Sequence, residues 1–363
     1  MRHLGKNPQW VEISKVIEYP PEVLEFYNQH LIDQTLRFEK EFANTLNDQT
    51  YNLKPISLPP NGLLNRGLMC FANASLQLLF SSSDFVSFIL FMKNNMRFFS
   101  IAQLASAPTW SALCKFTRSY ATEKNIISTE SMDEFFGPFT SKRKPLTMED
   151  AAEFTMFLLN KLHDELLELI KLGDIKQDAG GWQAKGIKSG RITVSDECVK
   201  RSPITHIFGT IVRADTLSNG HSRSVGHEPY LVLPLDLSPT LEESIENFLK
   251  FSDVDDGTSK KNSFLSLPSS IVIALKRFAF DGTGVIKRDD IIKYPNRLRL
   301  LKNDFELAAI VVHLGSSPAS GHYICISKRT DGHWREYDDS EVYGIRDGTE
   351  MEQQAYLLLY NRV

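Results

Sequence analysis

The stretch GLLNRGLMCFANASLQLL, residues 62–79, places a single cysteine at the start of an apolar run. Cys70 follows a loop that contains Gly62 and Gly67, and apolar residues recur after it at roughly helical spacing. Backbone amides and the dipole at a helix N-terminus lower the pKa of a thiol, so this position suits a nucleophile. Asn65 lies earlier on the loop, and its side-chain amide suits donation to an oxyanion beside the sulfur. The alternative is an inert core cysteine, since free cysteines are usually buried.

The composition limits the classes of protein to consider. The chain has 363 residues, 42% of them hydrophobic, which is enough for a sizeable core in one large or two modest domains. A formal net charge of −4 and the lack of a basic stripe with interleaved aromatics argue against nucleic-acid binding. The apolar runs are too short to cross a bilayer, so we expect no membrane partner.

The cysteines also indicate the redox compartment of the protein and whether a structural metal is expected. They are scattered without paired spacing and without a C-x₂-C motif, at Cys70, Cys114, Cys198 and Cys325. The N-terminus is charged and lacks the apolar core of a signal peptide. We therefore expect a reducing compartment, the cytoplasm or the nucleus, and no structural metal.

The sequence divides into an N-terminal extension and a main domain. Residues 1–57 are predicted to be an N-terminal extension, partly helical, because an amphipathic pattern follows Pro20 and Pro21. We expect this helix to pack on the body of the protein, with docking of a regulatory partner as the alternative. Residues 58–363 form the main domain, interrupted by a glycine- and lysine-rich insertion at about 173–202.

A long amphipathic helix is predicted over residues 147–172, TMEDAAEFTMFLLNKLHDELLELIKL. Thr147 and Asp150 resemble a capping box with Asp in place of Glu. Asp150 and Glu153 stabilise the start of this helix through its dipole. The functional alternative is that both carboxylates also face a cationic segment of a substrate.

The pattern changes from helical to extended after residue 172. We predict a short helix at 241–249 capped by Thr240 and a polar loop at about 253–262. Strands are predicted at 207–213, 230–235, 270–280, 307–314, 321–327, 334–337 and 356–360. Helices concentrated early and strands late indicate an α+β architecture with a cleft between the two halves.

A second chemical signal lies in SGHYICISKRTDGHWREYDDSEV, where His322 precedes Asp338 and Asp339. A cysteine nucleophile needs a base, and the base needs a group that fixes its tautomer. If the strands at 321–327 and 334–337 pair as a hairpin, His322 and Asp338 fall at the same end. The order Cys, His, Asp matches the papain-like arrangement. The other histidines lack a carboxylate at a useful strand end, so we interpret them as surface or packing residues.

These motifs together resemble the ubiquitin-specific proteases. GLLNRGLMCFANASLQLL is similar to the cysteine box of that family, and EDAAEF is similar to the start of its acidic helix. LPSSIVIALKRF resembles its central strand, and GHYICI with HWREYDDSEV resembles its histidine box. The resemblance spans residues 62–363. It implies a papain-like cysteine protease core with a helical thumb, a palm, and fingers that grip ubiquitin.

The resemblance also implies roles for individual residues and requires no cofactor. Cys70 would be the nucleophile, His322 the base, Asp338 the orienting group, Asn65 the oxyanion donor, and Asp339 a support of the same network. Asp150 and Glu153 would contact the arginines of the ubiquitin tail, and Phe278 and Tyr323 would line the channel for its diglycine. The implied activity is a thiol isopeptidase that cleaves after the last glycine of ubiquitin on modified proteins.

Departures from the family pattern keep alternatives open. Leu68 and Met69 precede the cysteine where the family usually has Asn-Thr, and Met148 replaces a glutamine. A catalytically silent ubiquitin-binding scaffold and a protease for a ubiquitin-like modifier are therefore the rival interpretations, and a general endopeptidase is a weaker one. The zinc-ligand pairs found in many members are missing. That absence and the ending AYLLLYNRV resemble the branch that contains ubiquitin carboxyl-terminal hydrolase 10.

Overall fold

The computed structural model describes residues 58–96, 99–123, 126–130, 139, 149–172, 200–218, 222–255, 258–280, 282, 285–317 and 320–363. The predicted N-terminal extension, Thr147, Cys198 and residues 173–199 of the predicted insertion lie outside the described residues.

The helices of the described chain mostly precede residue 172, as the sequence predicts. They are α1 (Cys70–Leu79), α2 (Ser83–Asn95), α3 (Ile101–Ser106), α4 (Pro108–Thr122), α5 (Ala151–Leu172), α6 (Pro203–Phe208) and α7 (Leu241–Leu249). Helix α1 is buried along its whole length, and α5 packs on it. A helix that is buried all round carries mostly small and apolar side chains, and the buried polar residues of CFANASLQLL, Asn73, Ser75 and Gln77, make hydrogen bonds.

The strands begin with a short parallel pair, β1 (Gly62–Leu63) and β2 (Ile126–Ile127). The later strands are β3 (Thr210–Ser218), β4 (Ser222–Tyr230), β5 (Leu233–Leu235), β6 (Phe251–Asp255), β7 (Thr258–Ser266), β8 (Ser270–Leu275), β9 (Phe278–Phe280), β10 (Val285–Lys287), β11 (Arg297–Leu300), β12 (Asn303–Ser317), β13 (Ser320–Lys328), β14 (Trp334–Asp338), β15 (Glu341–Gly344) and β16 (Ala355–Arg362).

These strands form two principal sheets. An eight-stranded sheet has the order β15-β14-β13-β12-β16-β8-β5, with β11 paired to β12, and a four-stranded sheet has the order β4-β3-β7-β6. One face of the larger sheet packs on α1 and the helical half, and its other face covers a second apolar core. The α+β prediction is therefore confirmed, and the start of α1 lies where the helical half meets β13.

A buried arginine ties the two halves together below the cleft. Arg329 donates from Nη2 to Gln77 Oε1 of α1 at 2.6 Å and from Nε to the Tyr337 hydroxyl of β14 at 3.2 Å. The Tyr120 hydroxyl of α4 lies 2.9 Å from the same Gln77 oxygen. Buried polar groups are costly unless paired, so this network specifies how α1 sits against the sheet.

Three local predictions were wrong. Residues 207 and 208, predicted as the start of a strand, are the end of α6, because Ser202 and Thr205 make a capping box and Pro203 occupies the first turn. Residues 253–255 and 258–262, predicted as part of a polar loop, instead belong to the antiparallel strands β6 and β7.

The third wrong prediction concerns the start of α5. The helix begins at Ala151, and the cap is the Asp150 carboxylate, which accepts from the Ala152 and Glu153 amides at 2.7 and 2.9 Å. Asp is a strong N-cap residue in its own right.

None of the described helices is by itself long and apolar enough to cross a membrane. Helices α1 and α2 reach that length and hydropathy only as a pair, and they are bent by 95° relative to each other.

Candidate active site

Cys70 is the first residue of α1, as predicted, and its side chain is 2% exposed. The loop before it turns at Gly67, whose φ of +127° favours glycine. Asn65 holds that loop from within, because its Oδ1 accepts the Met69 backbone amide at 3.2 Å. The sequence around Cys70 thus builds a tight entry into a buried helix.

The electrostatics of the thiol differ from the expectation. Burial is the largest influence and raises the pKa of Cys70 above its usual value, and the nearby charge of Asp339 raises it further. Backbone hydrogen bonds from Tyr323, Phe71 and Cys70 itself favour the thiolate but do not outweigh burial. The expected lowering of this pKa at the helix N-terminus is therefore wrong for the free protein, and the resting group is a thiol.

The predicted pairing of His322 with Asp338 is present. Strands β13 and β14 are antiparallel with Cys325 opposite Tyr337, which brings both side chains to the same end of the hairpin. His322 Nε2 lies 2.5 Å from Asp338 Oδ1. Because a carboxylate only accepts, this contact assigns the ring proton to Nε2 and leaves Nδ1 as a proton acceptor.

His322 and Cys70 are brought close through their neighbours. The backbone of Tyr323, which follows His322 directly, is near enough to the Cys70 thiol to lower its pKa. Among the described residues, no direct hydrogen bond joins that sulfur to the His322 ring. Catalytic contacts often tighten only when substrate binds, so this geometry is compatible with transfer of the thiol proton to Nδ1.

Asp339 occupies a different environment from its neighbour Asp338. It lies in the two-residue turn between β14 and β15 with a left-handed φ of 49°. Its side chain is 12% exposed, against 42% for Asp338, and its Oδ2 lies 3.9 Å from His322 Nε2. A carboxylate this buried requires hydrogen-bond donors.

Two asparagine amides supply those donors. Asn65 Nδ2 donates to Asp339 Oδ2 and Asn73 Nδ2 donates to Asp339 Oδ1, each at 2.8 Å. The main-chain oxygen of Asp339 also accepts from the Leu63 amide at 2.7 Å. Asp339 therefore joins the loop before Cys70, helix α1 and strand β1 at one point.

Asn73 is a residue that the sequence analysis missed. It is buried at the second turn of α1, three positions after the cysteine. A buried amide in a helix made mostly of apolar and small residues is the signal that could have identified it, since buried polar groups need partners. Asn65 was expected to donate to an oxyanion, and after its bond to Asp339 its amide retains one N–H for that purpose.

Close backbone packing keeps this turn in place. A Cβ on Gly62 of β1 would stand 2.2 Å from the main-chain oxygen of Ser340. Only glycine therefore allows β1 to approach the turn that carries Asp339.

A channel lies between α5 and the large sheet. It is a cavity of about 430 Å³, and its walls include Asp150, Glu153, Met156, Tyr230, Val232, Arg277, Phe278 and Tyr356. Three of the four predicted substrate-binding residues therefore line it. The fourth, Tyr323, is buried behind Tyr356, with ring centroids 6.0 Å apart.

The two predicted carboxylates of the channel differ in what they do. One oxygen of Asp150 caps α5, and the other accepts from the Tyr356 hydroxyl. Glu153 stands one turn later and is exposed. The structural role foreseen for Asp150 is confirmed, while Glu153 remains open to a cationic group.

Aromatic side chains form the wall nearest to His322. Phe278 packs edge-on against His313 and Tyr356, with centroid distances of 5.5 Å in both cases. The ring centroids of His313 and Tyr323 are 4.7 Å apart. Burial lowers the pKa of His313 to about 4, so its ring is neutral at physiological pH. His313 is a packing residue, as expected, although it packs in the channel wall.

One group within the described chain has ligand types that a metal ion accepts. His322, Asp338 and Asp339 bring one nitrogen and two carboxylate oxygens within 4.8 Å of one another. His322 Nε2 already bonds Asp338, and the Asp339 carboxylate already accepts from the Asn65 and Asn73 amides. The arrangement fits an acid–base network better than a metal site.

Comparisons with known proteins agree with this geometry. A family model described as ubiquitin carboxyl-terminal hydrolase matches residues 61–360. Ubiquitin carboxyl-terminal hydrolase 24 of Arabidopsis thaliana is 27% identical over 372 residues, covering 86% of this chain and 67% of that protein. Ubiquitin hydrolase B of Dictyostelium discoideum is 31% identical over 255 residues, covering 60% of this chain and 56% of that protein.

A third relative belongs to the branch expected from the sequence. Ubiquitin carboxyl-terminal hydrolase 10-B of Xenopus laevis is 25% identical, covering 89% of this chain and 50% of that protein. The chain thus spans about half to two thirds of the length of the curated relatives it matches.

Solved structures share the fold. The Ubp8-Sgf11-Sgf73-Sus1 SAGA DUB module matches with a TM-score of 0.62 and 25% identity, covering 84% of this chain and 67% of that chain. The same module bound to ubiquitin aldehyde matches with a TM-score of 0.64 and 20% identity, covering 89% and 74%. The predicted papain-like fold with thumb, palm and fingers is confirmed, and the chain belongs to the ubiquitin carboxyl-terminal hydrolase family, that of the ubiquitin-specific proteases.

Proposed function

We propose that this protein is a cysteine isopeptidase that removes ubiquitin from modified proteins. The observation that carries the proposal is the contact of 2.5 Å between His322 and Asp338, beside a cysteine at the start of a buried helix. The contact fixes the tautomer in which Nδ1 is free to accept a proton, and a thiol nucleophile needs such a base.

The reaction begins with transfer of the Cys70 proton to His322 Nδ1. The thiolate attacks the carbonyl carbon of ubiquitin's last glycine, and the developing oxyanion receives the remaining N–H of Asn65. His322 then protonates the departing lysine amine as the C–N bond breaks, which leaves a thioester on Cys70. Water, deprotonated by His322, hydrolyses the thioester and releases ubiquitin.

The channel suits the tail that this substrate presents. Phe278 and Tyr356 line the channel, and we infer that their rings narrow it enough to admit glycine residues and to exclude larger side chains. The exposed carboxylate of Glu153 is placed to receive an arginine of the tail through a charge-assisted hydrogen bond. Asp150 contributes by holding α5 and Tyr356 in position.

The test is turnover of ubiquitin that carries a fluorogenic amide at its C-terminus, followed by cleavage of diubiquitin. We expect hydrolysis by the wild type and a loss of about 10⁴-fold or more in Cys70→Ala and His322→Ala. Hydrolysis that survives in Cys70→Ala would contradict the proposal.

The same assay separates the two rivals. A silent scaffold binds ubiquitin without turnover, and a protease for another modifier hydrolyses that modifier faster than ubiquitin. The closed hydrogen-bond network around Asp339 favours an enzyme, because it keeps Asn65 in place despite the altered residues Leu68 and Met69.

We also propose that the protein works in a reducing compartment, the cytoplasm or the nucleus, with ubiquitinated proteins as its partners. Support comes from the thiol chemistry, since Cys70 must stay reduced, and the described Cys70, Cys114 and Cys325 are free. Fractionation of cells that express the tagged chain tests this location, and recovery in a secretory compartment would contradict it.

A further inference from the structure

A lysine outside the predicted site connects two walls of the active cleft. Lys287 ends β10, and its side chain is 6% exposed. Its ammonium donates to the main-chain oxygens of His313 at 2.8 Å and Gly315 at 2.9 Å. The nearest carboxylate, on Asp289, is 3.8 Å away and largely exposed. Burial lowers the pKa of Lys287, so the fold accepts a desolvated cation to make these two contacts.

The two acceptors lie where a strand loses its regular pairing. β12 pairs with β13 regularly as far as Leu314 opposite His322, and an irregularity follows before Ser317 pairs with Ser320. Gly315 has a φ of +137°, and a Cβ there would stand 2.7 Å from the Ser320 oxygen. We call residues 313–315 the β12 corner.

The β12 corner packs directly on the residue before the catalytic histidine. A Cβ on Gly321 would stand 2.4 Å from His313 Nε2 and 2.5 Å from the Leu314 oxygen. The backbone that enters His322 therefore rests so closely on this corner that no side chain fits at position 321. A shift of the corner moves His322 relative to Asp338 and Cys70.

Lys287 is also bound to the channel wall. In the pairing of β9 with β10, Lys287 lies directly opposite Phe278. Phe278 lines the cavity and packs on the His313 ring. One side chain thus links the strand pair that carries Phe278 to the corner that supports His322.

We propose that Lys287 is a positioning residue for the reaction described above: its ammonium, bound to the His313 and Gly315 carbonyls, fixes the channel wall and His322 in one arrangement. The proposal rests on the proposed isopeptidase function. Lys287 touches neither substrate nor the reacting atoms, and it acts through the backbone of the β12 corner.

The test compares Lys287→Met, which keeps the length and loses the donors, with Lys287→Arg, which keeps a cationic donor. Lys328→Met is the matched control, because Lys328 lies on β13 away from the β12 corner, with Nζ 3.2 Å from Glu306 and its side chain 33% exposed. Each variant is first titrated with ubiquitin that bears a thiol-reactive group at its C-terminus. Then kcat and KM for the fluorogenic ubiquitin amide are measured per titrated site.

We expect Lys287→Met to titrate fully, to lose about 10- to 100-fold in kcat per site, and to change KM less than kcat, as a misplaced catalytic group would. Lys287→Arg should recover part of that loss, and Lys328→Met should match the wild type. A Met variant whose kcat per site stays within about twofold of wild type would overturn the proposal, and so would an Arg variant no better than Met.

The controls distinguish failure of the proposed isopeptidase function from failure of the proposed role of Lys287. A wild type that does not turn over ubiquitin overturns the proposed function, and the role of Lys287 with it. A fully active wild type with an unaffected Met variant overturns the role of Lys287 alone. A Met variant that loses only titratable sites, with normal kcat in the rest, shows a role in stability and also overturns it.

Discussion

The two ends of the active cleft are built on opposite principles. At the catalytic end, polar groups hold one another: Asp339 accepts two asparagine amides, and Asp338 pairs with His322. Along the channel, the rings of Tyr230, Phe278 and Tyr356 stand among aliphatic and charged side chains. Behind Phe278, the His313 ring nitrogens, buried within the described chain, have no hydrogen-bond partner. Hydrogen bonds fix direction, whereas aromatic packing fixes width. We infer that the catalytic end sets the rate and the channel sets which substrate enters.

The strongest test of this contrast removes the charge that orients the base. Asp338→Asn should lower kcat by about 10³- to 10⁴-fold, because an amide can donate to Nε2 and favour the wrong tautomer of His322. KM for the ubiquitin amide should change little. Steady-state kinetics check both values, and a loss confined to KM would place Asp338 in binding instead.

A smaller loss is expected from the neighbouring carboxylate. Asp339→Asn keeps a residue that tolerates the left-handed backbone but weakens acceptance of the Asn65 and Asn73 amides. If Asn65 is the oxyanion donor, kcat should fall by about 10²- to 10³-fold. Asn65→Ala should produce a similar loss, and the double variant should lose little more than either single one. Fully additive losses would show that the two residues act separately.

The pH dependence of Cys70 tests the electrostatics of the same end. Because burial raises its pKa, the thiolate fraction of the free protein should rise about tenfold per pH unit through neutral pH, without a plateau below pH 9. Alkylation by iodoacetamide, followed by peptide mass, measures this. Asp339→Asn removes a charge that raises the pKa and should shift the profile to lower pH. A plateau near pH 6 in the wild type would instead indicate a preformed thiolate.

The channel predicts the smallest effects. Glu153→Gln should raise KM about three- to fivefold, leave kcat unchanged and lower the melting temperature only slightly, because an exposed charge that meets substrate adds little to the helix dipole interaction. Asp150→Ala should instead lower the stability by about 1 kcal/mol through loss of the helix cap. Kinetics and thermal unfolding on both variants distinguish the roles. If Glu153→Gln and Asp150→Ala changed KM and stability equally, the separate roles of substrate contact for Glu153 and helix capping for Asp150 would be contradicted.

Some residues of the catalytic end and of the channel could be predicted from the sequence, because local rules place their side chains. Cys70, His322 and Asp338 could be predicted because helix starts and hairpin ends place their side chains by local rules. The Asp150 cap follows from the same rules, although the spacing of Thr147 and Asp150 also matches a capping box that would begin the helix earlier.

Long-range contacts could not be predicted in this way. The hydrogen bonds from Asn65 and Asn73 to Asp339 join residues more than 260 positions apart. No local sequence pattern predicts such contacts. Lys287 looks like any surface lysine in the sequence, and only the β12 corner reveals its partners. The raised pKa of Cys70 has the same origin, because burial is a property of the assembled fold.

The central claim is that Cys70 is a nucleophile in a site shaped for the ubiquitin tail. Its most direct test is the reaction of the purified protein with ubiquitin that carries a thiol-reactive electrophile at its C-terminus, measured by intact mass. We predict one adduct on the wild type, mapped to Cys70, none on Cys70→Ala, and little reaction with a similarly armed ubiquitin-like modifier whose tail lacks arginine. An adduct that persists in Cys70→Ala, or none despite measurable ubiquitin binding, would contradict the claim.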